Sequence, residues 1–117
     1  MSIEYVIDGG GSVITAGTKG YLEIPFACSI NAWTVVGDAA GTIVIPVKNC
    51  TYANFPTTYS LSGTEAPSLN AAQKGQDTNL TTWSWQINAG DILEFSVNAT
   101  PSTVTRVTVS LKAVRTA

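Results

Sequence analysis

Apolar and polar residues alternate one by one along several short stretches of the chain. The clearest comes last, where Val107, Val109 and Leu111 are separated by Arg106, Thr108, Ser110 and Lys112. Successive side chains of a strand point to opposite faces, so this period of two predicts a strand with one dry and one wet side. Upstream, Leu93, Phe95 and Val97 alternate with Glu94 and Ser96 behind the turn signal Asn88-Ala89-Gly90-Asp91, and the two strands are expected to pair across the 98–102 turn. The same pattern sets Leu22, Ile24 and Phe26 against Tyr21, Glu23 and Pro25. Pro25 cannot donate to a ladder, which marks an edge strand or a bulge. Residues 32–36 and 42–47 read as two further strands joined by a hairpin loop with a bulge, Gly37-Asp38-Ala39-Ala40-Gly41, with Pro46 weakening the end of the second. Trp83, Trp85 and Ile87 share a face opposite Ser84 and Gln86, and 3–7 supplies a first strand that stops at Gly9-Gly10-Gly11.

Seven or eight short strands, each with one apolar face, must bury those faces against a second layer. The expected fold is all-β: one antiparallel β-sandwich domain over 1–117, jelly-roll or immunoglobulin-like, with Leu22, Ile24, Phe26, Leu93, Phe95, Val97, Val107, Val109 and Leu111 pointing inward and no helix longer than about three turns. The 49–79 segment shows no convincing strand and contains Pro56, Gly63, Pro67 and Gly75. Stretches of this length in compact domains are uncommon and usually binding loops or disordered. Its Tyr52, Phe55, Tyr59, Leu61 and Leu69 make it too apolar for a linker, so it is read as a folded excursion that covers a sheet edge or packs on a neighbour, and these five residues are the candidate partner contacts.

Composition sharpens this in three ways. Val and Ile far outnumber Leu in the 117 residues, a balance that favours pleated strands. Histidine is absent, which removes the usual general base of nucleophilic triads and the commonest zinc ligand; neither catalytic residues nor a cofactor or metal is expected. Net charge is −2, with six scattered cations, which argues against nucleic acid; a membrane partner is not expected either. Only 12% of residues are charged, the composition of a protein whose faces meet neighbours, and a homotrimer is expected.

The remaining motifs carry blander readings. Cys28 and Cys50 are expected as free thiols, since Ser2-Ile3-Glu4-Tyr5 after Met1 does not read as an export signal. Without such a signal, the glycosylation triplets at Asn49, Asn79 and Asn98 are discounted. Gly9-Gly10-Gly11-Ser12 lacks the Lys-Ser/Thr and helix of a phosphate loop and reads as a turn. No two of the eight carboxylates are closer than three positions, so any catalytic pair would have to be assembled by the fold. Trp83 and Trp85 read as core residues before a sugar platform.

Two runs near the start, Ile7-Asp8-Gly9-Gly10-Gly11-Ser12-Val13-Ile14-Thr15 and Gly20-Tyr21-Leu22-Glu23-Ile24-Pro25-Phe26-Ala27-Cys28, resemble the opening of a β-sandwich module found in phage and prophage virion proteins. Thr51-Tyr52-Ala53-Asn54-Phe55-Pro56, Leu80-Thr81-Thr82-Trp83, Ala89-Gly90-Asp91-Ile92-Leu93 and 102–108 extend the likeness over nearly the whole chain. The chain departs from that pattern at Pro46-Val47-Lys48-Asn49, where an acidic residue and a Trp are expected. The module occurs in tail fibres and in capsid-surface proteins. With no shaft ahead of it here, the resemblance implies a capsid decoration (cement) protein: made in the host bacterial cytoplasm, located on the virion capsid surface, and bound to the major capsid protein as a trimer. An adhesion module that binds a glycan, or a small glycosidase, are the readings of other classes.

Overall fold

The computed structural model describes residues 1–83, 86–98 and 101–116, and among these there is no helix. Eight strands form two antiparallel sheets of four: β1 (Ser2–Asp8), β2 (Gly17–Ile24), β3 (Cys28–Val44), β4 (Val47–Cys50), β5 (Tyr59–Ser60), β6 (Ser68–Asp77), β7 (Asp91–Val97) and β8 (Arg106–Arg115). Sheet I runs β1-β8-β3-β6 and sheet II runs β2-β7-β4-β5. The pairings nest: first strand with last, second with seventh, third with sixth, fourth with fifth.

One core lies between the sheets. Val107, Val109, Leu111 and Ala113 of β8 meet Leu93, Phe95 and Val97 of β7 in it, together with Ile3 and Ile7 of β1. The inward faces predicted for β7 and β8 are the observed ones. Leu22 and Phe26 lie at the margin, half-buried against the core, and only Ile24 of that trio is fully enclosed. β2 is an edge strand whose register shifts between Thr18 and Gly20, and it ends just before Pro25.

Several expectations are corrected. β7 and β8 do not pair with each other; they belong to different sheets. Residues 32–36 and 42–47 are not two arms of a hairpin. Residues 28–44 form one long strand, pairing β8 with its first part and β6 further on, while Val47 begins β4 in the other sheet beyond Pro46. A bulge between Ile30 and Ala32 shifts the phase, so Cys28 and Ile30 before it and Trp33 and Val35 after it all face the core. The 49–79 segment holds two strands, β5 and β6. β6 escapes pattern reading because it is an edge strand with one buried residue, Leu69. Through them the segment supplies one edge strand to each sheet, β6 beside β3 and β5 beside β4.

The tryptophan stretch forms no continuous strand among the described residues. Ile87 makes a single bridge to Cys28, Trp83 is buried, and Ser84 and Trp85 lie outside the described residues. Both cysteines are free and buried. At the end of β1 the chain turns through Gly10 and Gly11, with φ of 68° and 89°, a conformation glycine adopts without strain, and the Gly10 amide donates to the Asp8 carboxylate at 2.8 Å.

Candidate functional site

Alternation along β7 turns Glu94 away from the core, onto the outer face of sheet II, where it sits between Tyr21 of β2 and Lys48 of β4. An outward carboxylate on a sheet is normally wet. Glu94 is only 8% exposed, because the 51–58 loop folds back over that face. Thr58 donates its hydroxyl to one carboxylate oxygen at 2.5 Å and Thr18 donates to the other at 2.8 Å. Burial works against the charge, yet these two hydrogen bonds and the nearby Lys48 ammonium outweigh it and hold the carboxyl below its usual range. Burial, with the charges of Asp91 and Glu94, pushes the Cys50 thiol up, which makes it a poor nucleophile.

Above this latch the loop carries an aromatic apron. Phe55 meets Tyr21 edge-on, ring centroids 4.8 Å apart and planes at 77°. The loop is a run of tight turns closed by Thr51 and Asn54, with a cis Phe55-Pro56 peptide. Tyr52 is 80% exposed and Tyr59 67%, while Phe55 and Tyr21 are about two-fifths exposed. Three of the five candidate contacts, Tyr52, Phe55 and Tyr59, thus stand on the surface. The other two do not: Leu61 and Leu69 are core residues, fully enclosed, and cannot touch a partner in the folded protein. Sequence reading also missed Tyr21 and Glu94, which alternation had assigned to an ordinary solvent face.

Other carboxylates are engaged in holding loops. Asp38 accepts from the Thr105 hydroxyl and from the Thr105 and Arg106 amides, and those bonds pull its carboxyl below the usual range. Glu65 accepts from the amides and hydroxyls of Thr81 and Thr82, again with a lowered carboxyl. Its main-chain carbonyl takes the indole N–H of both Trp33, at 2.9 Å, and Trp83, at 3.0 Å. Asp91 accepts the Asn88 amide and closes the turn into β7. Among the described residues no three His, Cys, Asp or Glu side chains come together as a metal-ligand set. A shallow depression of about 410 Å³ on the outer face of sheet I is lined by Thr34, Val36, Lys74, Gly75 and Gln76.

No protein-family model, curated protein or solved structure matches the chain.

Proposed function

We propose that this protein is a non-catalytic decoration subunit that binds the outer surface of a bacteriophage capsid and stabilises the shell by bridging neighbouring capsid proteins. The supporting observation is the apron of Tyr21, Tyr52, Phe55 and Tyr59, exposed and fixed to sheet II through the Glu94–Thr58 contact. Interface cores are enriched in Tyr and Phe, and a surface already ordered loses little freedom on binding. We also read the fold as a jelly roll: nested pairing of first strand with last suits that topology, and not the immunoglobulin one. The edge-on packing of Tyr21 and Phe55 offers no flat pair of rings for stacking on a sugar, which weighs against adhesion.

Such a subunit acts by mass action, stabilising the assembled shell to which it binds. Virions stripped of it should keep their shape but rupture at lower temperature, and purified protein should restore them. Stripped particles as heat-stable as complete ones, with impaired adsorption to glycan-bearing surfaces, would overturn the proposal in favour of adhesion.

A further inference from the structure

The open side of β1 is a self-complementary edge, and we propose that two copies of the chain join there about a two-fold axis into one continuous eight-stranded sheet. Met1 and Ala113 exchange both main-chain hydrogen bonds, at 3.1 and 2.8 Å, and the Gly9 amide donates to the Thr105 carbonyl at 2.7 Å. In an antiparallel pair every second residue faces the neighbour. Odd-numbered residues of β1 therefore bond to β8, and Ser2, Glu4, Val6 and Asp8 direct their amides and carbonyls outward. Among the described residues no strand lies on that side.

The other three edges are blunted in ways proteins use to prevent strand addition. β6 has register shifts and a positive φ at Ala71, β5 is two residues long, and β2 is bulged. β1 alone pairs without a shift over its seven residues. Its side chains also select one register. Two-fold antiparallel pairing of the outward residues requires facing numbers that add to an even sum. A sum of 8 sets Glu4 against Glu4, and a sum of 12 sets Glu4 against Asp8. A sum of 10 overlaps the strands most fully, with Glu4 facing Val6, Ser2 facing Asp8 and Tyr5 on the axis, and no carboxylate meets another. Within each copy Lys112 faces Ser2 and Arg106 faces Asp8, so Asp8 of the second copy lies in a row between its own Arg106 and, one strand beyond Ser2, Lys112 of the first copy. Composition alone had pointed to a trimer; this edge geometry favours a pair, and it stands whether or not the shell reading holds.

Val6 is 55% exposed, so its side chain can be changed without disturbing the core. Sedimentation equilibrium of the full chain over a concentration series should show monomers passing to dimers. V6K, which faces Glu4 of the second copy, should tighten the pair, and V6E should loosen it, each by roughly tenfold for two symmetric contacts. Amide exchange at Glu4 and Val6 should slow as concentration rises. A monomer at every concentration, a trimer, or an assembly that V6K and V6E leave unchanged would overturn the proposal; melting curves of both variants verify that they fold.

Discussion

The ring of Tyr5 lies on the ring of Phe95, centroids 4.3 Å apart and planes within 4° of parallel, so that one aromatic pair joins β1 of sheet I to β7 of sheet II. Gly20 faces Phe95 in the β2–β7 ladder, and a Cβ there would run into the Tyr5 hydroxyl. The absence of a side chain at position 20 is what lets the phenol lie flat.

G20A should therefore destabilise by about 1–3 kcal/mol, the usual cost of overpacking. Y5F, which shortens the side chain by its hydroxyl, should recover part of that loss when combined with G20A. Urea denaturation of the single and double variants reads the coupling; strictly additive effects would place the strain elsewhere.

Stability should fall on acidification. Asp38, Glu65 and Glu94 have lower carboxyl pKa values folded than unfolded. Their contribution is complete above the unfolded values, 3.8 for the aspartate and 4.5 for the glutamates, and disappears as pH drops through the folded ones. E94Q should cost about 1–2 kcal/mol at pH 7 through weakened bonds to Thr18 and Thr58. The gap from the parent should narrow below pH 4, as followed by thermal melts across a pH series.

Leucines of the 59–69 region and the tyrosines beside them should separate cleanly. L61A and L69A remove enclosed side chains and should cost about 2–5 kcal/mol. Y52A and Y59A should leave the melting temperature within a few degrees of the parent and, on the shell reading, weaken retention on particles in a co-sedimentation assay.

At Gly41 a Cβ would collide with the Ser102 carbonyl and Val104. Main chain yields less readily than a side-chain tip, so G41A should destabilise by about 2–3 kcal/mol, more than alanine at Gly10, where nothing lies within 4 Å and only the positive φ opposes a side chain, at a cost of about 1 kcal/mol. Denaturation midpoints of the two variants test the order.

What the sequence disclosed tracks how local each cause is. β1, β7 and β8 were legible because each sets a row of apolar side chains against the core, and alternation records that directly. β6 was not, since a solvated edge strand imposes no apolar period. Gly37 and Gly41 looked like hairpin punctuation, whereas they are sites where Leu69 and Val104 press against the main chain of a continuing strand. The tyrosines at 52 and 59 were recognisable as surface aromatics. Glu94 was not recognisable as enclosed, because its cover comes from Thr58, thirty-six positions away, and alternation cannot reveal what folds over a face.

The nested pairing also governs when the chain can fold during synthesis. β1 has one neighbour, β8, and β2 has one neighbour, β7. Strands made first must wait, unpaired, for those made last, so a ribosome that has delivered β1 through β6 has completed neither sheet. Closing such distant contacts is intrinsically slow. Until β8 leaves the exit tunnel, Ile3, Tyr5 and Ile7 remain exposed as a sticky nascent segment, which makes this chain a natural client for chaperones that hold apolar stretches in the interim.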